Sequence, residues 1–147
     1  MSDTRADRDL LLNGMENEKK KILIVDDDSF LLDMYALKFS QNNFEVHTVV
    51  SGAQAIEKLK GGLNPDIILI DIIMPEMDGF QMLEKIIADK LAPNSMKIIL
   101  SNKSQQSDID RGNSLGVAGY IIKANSTPVE VISQVSNILG KANVVPK

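Results

Sequence analysis

Ile67-Ile68-Leu69-Ile70-Asp71 sets four apolar residues directly against one acid. A short run that is apolar at every position reads as a strand buried on both faces, the kind found in parallel sheets. Three further runs share the design. Ile22-Leu23-Ile24-Val25 ends in Asp26-Asp27-Asp28, Ile98-Ile99-Leu100 ends in Ser101, and Tyr120-Ile121-Ile122 ends in Lys123. If the four lie parallel, acids, a hydroxyl and an ammonium emerge together at one edge, a set suited to phosphate chemistry.

Helical patterns separate these runs. Leu32, Tyr35, Ala36 and Phe39 fall at i, i+3, i+4 and i+7 behind a cap at Asp28 or Ser29, and Asn42-Asn43 closes the helix. Phe44 to Val49 is a more polar strand suited to a sheet edge. Ser51 with Gln54 predicts a capping box for a helix that buries Ala55, Ile56 and Leu59 and stops at Gly61-Gly62. Met74-Pro75 breaks the chain, and Gly79 opens a third helix with Leu83, Ile86 and Ile87 inward. A polar fourth helix near residues 105–115 has few apolar anchors. Thr127-Pro128-Val129-Glu130 places a cap, a first-turn proline and a capping-box glutamate in register. The helix that follows buries Val131, Val135 and Ile138 and is predicted to end at Gly140.

Five strands alternating with five helices predict an α/β fold: a doubly wound, five-stranded parallel sheet. Right-handed crossovers favour the strand order 2-1-3-4-5. Ligands of such sheets bind beyond the carboxyl ends of the strands, where the winding direction switches. That point lies between the first and third strands, so Asp26, Asp27 and Asp71 are expected to converge there.

The totals narrow the function. A chain of 147 residues suits one domain, placed at 21–140, with a flexible extension over 1–20 and a tail over 141–147. A net charge of −4 argues against non-specific nucleic-acid binding, which needs a basic footprint. Lys19-Lys20-Lys21 reads as a solvated approach to the first strand. With no cysteine, disulfides and thiolate metal sites are excluded, which fits a cytoplasmic location. No run approaches the roughly 18–20 apolar residues of a membrane span. Asp3, Asp7 and Asp9 stand where a signal peptide is basic or apolar.

Three clustered carboxylates repel one another unless a cation neutralises them, and a hard divalent ion such as Mg²⁺ suits oxygen ligands. Helix capping accounts for one aspartate, Asp28, but not for the adjacent pair or for Asp71. With a cation present Asp71 can act as a nucleophile toward phosphorus. Lys123 supplies positive charge to phosphoryl oxygens and Ser101 a hydrogen bond, so catalysis is mostly positioning. Taken alone, Ser101 reads equally as a turn hydroxyl and Lys123 as a solvated lysine. Their shared placement at strand ends points to function. His47 reads as an ordinary edge-strand residue, Met74, Met77 and Met82 as packing, and Asp78 as a helix cap.

Lys-Ile-Leu-Ile-Val-Asp-Asp-Asp at 21–28 resembles the first strand of bacterial response-regulator receiver domains. Pro-Asp-Ile-Ile-Leu-Ile-Asp-Ile-Ile-Met-Pro-Glu-Met-Asp-Gly at 65–79 resembles their phosphoacceptor segment, and Gly-Val-Ala-Gly-Tyr-Ile-Ile-Lys at 116–123 their fifth strand. The resemblance implies a CheY-like, flavodoxin-like fold, whose known strand order is the one argued above, so the two lines are not independent. It implies that Asp71 is the phosphorylated residue. Asp26, Asp27, Asp71 and the backbone carbonyl of Ile73 would hold Mg²⁺ or Mn²⁺. Ser101 takes the place of the switch Ser/Thr, Lys123 that of the phosphate-binding lysine, and Tyr120 that of the aromatic switch.

The implied phosphodonor is a sensor histidine kinase or a histidine phosphotransfer protein. The expected output is that of a stand-alone receiver, not an enzyme in its own right. It would signal through the face of the fourth helix, fifth strand and fifth helix, to a downstream protein or a self-dimer, without nucleic acid or membrane. Two residues depart from the family pattern. Ala124 and Asn125 follow the lysine where proline is usual, often with a cis peptide. A cis non-proline bond costs ~3–4 kcal/mol, which predicts a trans loop of different shape. Asn102 is larger than the small residue usual after the switch position, and it is expected to narrow phosphate access. Ile73 and Lys103 flank the expected phosphoryl group and neither suits the orienting of a water, which predicts slow self-hydrolysis.

Three rivals remain at this level. An aspartyl-nucleophile phosphatase typically carries a second aspartate two residues after the first, where this chain has Ile73. A pseudo-receiver that is never phosphorylated would have no need for all five site residues. A nucleotide-binding domain would need a glycine-rich phosphate loop after the first strand.

Overall fold

A computed structural model describes residues 19–142. The elements run β1 (Lys20–Val25), α1 (Ser29–Gln41), β2 (Phe44–Val49), α2 (Gly52–Lys60), β3 (Ile67–Ile70) and α3 (Gly79–Ala88). They continue with β4 (Met96–Ser101), α4 (Gln106–Ser114), β5 (Gly119–Ile122), a 3₁₀ turn at Lys123–Asn125 and α5 (Pro128–Ala142). The strands form one parallel sheet in the order β2-β1-β3-β4-β5, as the sequence pattern predicts.

Alternate residues of each central strand face opposite sides, and both sides are covered. Ile22, Ile24, Ile67, Leu69, Ile98 and Leu100 pack with α1 and α5, whereas Leu23, Val25, Ile68, Ile70 and Ile99 pack with α2 and α3. This burial on both faces is why the central runs carry no polar residue until they end.

Local chemistry sets the helix starts. Asp28 Oδ1 accepts the Phe30 and Leu31 N–H groups at 3.1 and 3.2 Å and caps α1. Asp78 and Gln81 form a reciprocal capping box on α3, and Thr127 with Glu130 forms another on α5. The Ser51–Gln54 box is only half made: Ser51 Oγ accepts the Gln54 N–H, but Gln54 Oε1 takes the N–H of Val50.

Several expectations need correction. Ile87 is 48% exposed because it lies at the edge of the stripe formed by Phe80, Leu83 and Ile86, beside a groove with Lys90 and Leu91. The last helix passes Gly140 and runs to Ala142, since an internal glycine costs only about 1 kcal/mol and Gly140 does not take the left-handed backbone of a stop. β1 begins at Lys20, inside the segment assigned to the extension. Residues 1–18 and 143–147, which hold the rest of the predicted extension and tail, lie outside the described residues.

α4 holds to the domain largely through polar contacts. Its buried residues are Asp108 and Gly112. Arg111 lies 4.5 Å over the Phe80 ring and 3.0 Å from Glu84 Oε1, tying α4 to α3. Among the described residues no helix is long and apolar enough to cross a membrane.

Candidate functional site

The register of the sheet builds the site. Val25 pairs with Ile70, so one step further along both strands Asp26 stands beside Asp71. Asp71 N–H donates to the Val25 carbonyl at 3.0 Å and fixes that step. Asp26 and Asp71 are 3% and 7% exposed, while Asp27 faces solvent. One carboxylate oxygen of each lies within 4.8 Å of the others, so the three predicted acids do converge.

Lys123 closes the crevice from the far side. Its Nζ donates to Asp26 Oδ2 at 2.7 Å and to Asp71 Oδ2 at 3.0 Å, with the ammonium largely buried. The remaining oxygens are also held: Asp26 Oδ1 accepts the Asp28 N–H at 2.9 Å, and Asp71 Oδ1 accepts the Ile73 N–H at 3.2 Å. Thus Ile73 touches the site through its backbone, while its side chain is 56% exposed.

Burial pushes the Asp26 carboxyl above its ordinary 3.8, against the pull of Lys123 and the Asp28 N–H, and Asp71 adds repulsion. Burial works to lower the Lys123 ammonium, but its bonds to Asp26 and Asp71 outweigh this and raise it above 10.5. The two shifts differ in cause: burial lifts Asp26 despite its bond to Lys123, whereas the two carboxylates hold the single ammonium firmly charged despite its burial. With Asp27 the group carries three negative charges against one positive, and a divalent cation with oxygen ligands fits that excess.

Ser101, the last residue of β4, is fully buried, and its Oγ accepts the Lys103 N–H at 3.3 Å. Tyr120 is half-buried in β5 and donates its hydroxyl to the Lys103 carbonyl at 2.5 Å. Burial, then the charges of Asp108 and Asp71, push the Tyr120 phenol from 10.0 up to about 12. The predicted switch pair is therefore joined through one residue of the β4–α4 loop.

Sequence reasoning missed two participants. Asp108 is buried in α4, where it accepts the Gln105 N–H and pairs with Lys103 Nζ, both at 3.2 Å. The three-residue spacing from Gln105 was the available signal. Asn102, read only as an obstruction, turns its Oδ1 to the Ala124 N–H at 2.8 Å. The peptide after Lys123 is trans, and the chain there forms the 3₁₀ turn. His47 lies on edge strand β2, paired with Glu45 at 2.8 Å, and Asp78 serves as the α3 cap.

Known proteins share this architecture. A family model described as the response regulator receiver domain matches residues 22–135. The chemotaxis protein CheY of Thermotoga maritima is 35% identical over 120 residues, covering 80% of this chain and 98% of that protein. The response regulator SaeR of Staphylococcus aureus is 32% identical over 118 residues, and the match spans 50% of its length. A solved CheY-like receiver domain protein from Methanospirillum hungatei superposes with a TM-score of 0.75 at 27% identity, covering 84% of this chain and 96% of that one. Motif, sheet order and relatives agree, and the chain belongs to the response-regulator receiver family as a CheY-like domain of two-component signalling.

Proposed function

We propose that Asp71 is the phosphoacceptor of this receiver and that the phosphoryl group comes from a sensor histidine kinase or a histidine phosphotransfer protein. Receivers of this family are phosphoacceptor switches that act with histidine kinases and downstream effectors. The observation that carries the reading is the Lys123 ammonium, seated 3.0 Å from Asp71 and 2.7 Å from Asp26 in the crevice where three acids meet.

An Asp71 oxygen attacks the phosphorus in line with the donor imidazole. The P–O bond forms as the P–N bond breaks, and the departing nitrogen keeps its electron pair and takes a proton from solvent. The Ile73 N–H orients Asp71 through Oδ1, and Lys123 meets the charge that develops on the phosphoryl oxygens. Asp26, Asp27, Asp71 and the Ile73 carbonyl would hold Mg²⁺ or Mn²⁺. When bound, the ion supplies the positive charge that lets a carboxylate approach a phosphoryl group. The chain does no chemistry beyond its own phosphorylation and dephosphorylation.

The readout follows the bonds that meet at Lys103. Drawing Ser101 toward the phosphoryl group releases the Lys103 N–H and moves the carbonyl that Tyr120 holds. α4 is anchored by few apolar residues and follows, reshaping the face formed by α4, β5 and α5. Beryllofluoride with Mg²⁺, a phosphoryl mimic, tests this by NMR. The amides of Ser101, Lys103, Tyr120 and α4 are expected to shift together. Shifts confined to the Asp71 loop contradict the switch.

A further inference from the structure

We infer that Asn102 is a positioning residue for Lys123, acting through the Ala124 N–H. This rests on the reading of Asp71 as the phosphoacceptor, because only then does the placement of Lys123 set a rate.

β4 and β5 pair as far as Ser101 and Ile122, so the next residues in the row are Asn102 and Lys123. The ladder does not continue there, because the chain turns into the 3₁₀ turn closed by the Ser126 N–H on the Lys123 carbonyl at 3.2 Å. The first N–H groups of such a turn have no partner within it. Ala124 is one of these, and Asn102 Oδ1 takes its N–H at 2.8 Å. The side-chain amide thus adds one rung where the backbone ladder stops.

That rung fixes two loops to each other. On one side it holds the residue after Ser101, and on the other the residue after Lys123. The same β4–α4 loop is tied a second time by Tyr120 through the Lys103 carbonyl. Lys123 must place one ammonium between two carboxylates, at 2.7 and 3.0 Å, and an error in its placement lengthens one of those bonds. A freely pivoting Lys123–Asn125 turn would allow that error.

The test uses the full chain as wild type, Asn102→Ala, Ala124→Pro and the double variant. Proline removes the N–H, so Asn102 has nothing left to hold in that background. The initial rate of labelling by acetyl phosphate with Mg²⁺, read by intact mass, is expected to fall about 2- to 10-fold in Asn102→Ala, the range of one hydrogen bond. The further effect of Asn102→Ala in the Ala124→Pro background is expected to vanish. Asn102→Asp keeps an acceptor and is expected to restore hydrogen-exchange protection at Ala124. The Lys123 side-chain nitrogen resonance is read in parallel without phosphodonor, and it is expected to move in Asn102→Ala and Ala124→Pro alike. Independent, multiplying effects of the two substitutions, or an unchanged Lys123 resonance in Asn102→Ala, overturn the inference. A wild-type chain that takes no label while its Lys123 resonance responds overturns the phosphoacceptor reading and leaves the positioning role standing.

Discussion

Lys123 Nζ lies 2.7 Å from Asp26 Oδ2, an ion pair between residues 97 apart that joins the ends of β5 and β1 across β3 and β4. Both side chains are largely shielded from water, so this is a pair whose loss leaves an uncompensated charge.

Lys123→Ala is therefore expected to destabilise the fold at neutral pH by about 3 kcal/mol, the lower end for a broken buried pair, because Asp27 leaves the crevice open on one side. The sign with pH follows from Asp26. Its folded carboxyl is raised above 3.8, so below that range it is protonated and needs no partner. The cost of Lys123→Ala should shrink as pH falls into the acid range. Urea unfolding of both proteins at neutral and acid pH checks this, and a cost independent of pH contradicts it.

Tyr120 gives a second pH signature. Its phenol titrates near 10.0 when unfolded and at about 12 in the fold, so the unfolded chain loses the proton first. The stability this contributes is complete below pH 10 and is lost as pH rises through about 12. Tyr120→Phe is expected to be less stable than wild type at neutral pH by about 1 kcal/mol, for the lost bond to Lys103. The gap should narrow on alkaline titration. Thermal midpoints across that range measure it.

Gly79 is fixed by close approach. A Cβ there would stand 2.5 Å from the Asp71 carbonyl oxygen and 2.9 Å from the Ile72 Cα, both backbone atoms that cannot swing aside. Gly79→Ala is expected to cost about 1–3 kcal/mol and to displace the loop that carries Asp71. Denaturant unfolding reads the first effect and the Asp71 amide shift the second.

These side chains show what the sequence makes legible. The strand ends could be read because the stretch of each central strand that is buried on both faces is apolar throughout until it ends. Asp26, Asp71, Ser101 and Lys123 each stand at such an end or one step beyond it. Asn102, Lys103 and Asp108 belong to a loop and a polar helix, where no period announces a partner. The bond from Asn102 to Ala124 depends on where β4 and β5 stop pairing, which hydrophobic spacing does not encode. Gln54 likewise chose the Val50 N–H over that of Ser51, a difference of one residue that propensity does not distinguish.

The lifetime of the phosphoryl group should be long. Ile73 offers only an exposed aliphatic chain, and the Lys103 ammonium is engaged with Asp108, so neither presents an acceptor to orient an attacking water. Slow loss of the label at neutral pH is expected when phosphodonor is removed. Loss within seconds contradicts this.

Intact-mass measurement after incubation with acetyl phosphate and Mg²⁺ tests the assignment of Asp71 as the phosphoacceptor. One added phosphoryl group is expected in the wild type and none in Asp71→Asn. An adduct that persists in Asp71→Asn, or a wild-type chain that takes none, contradicts it.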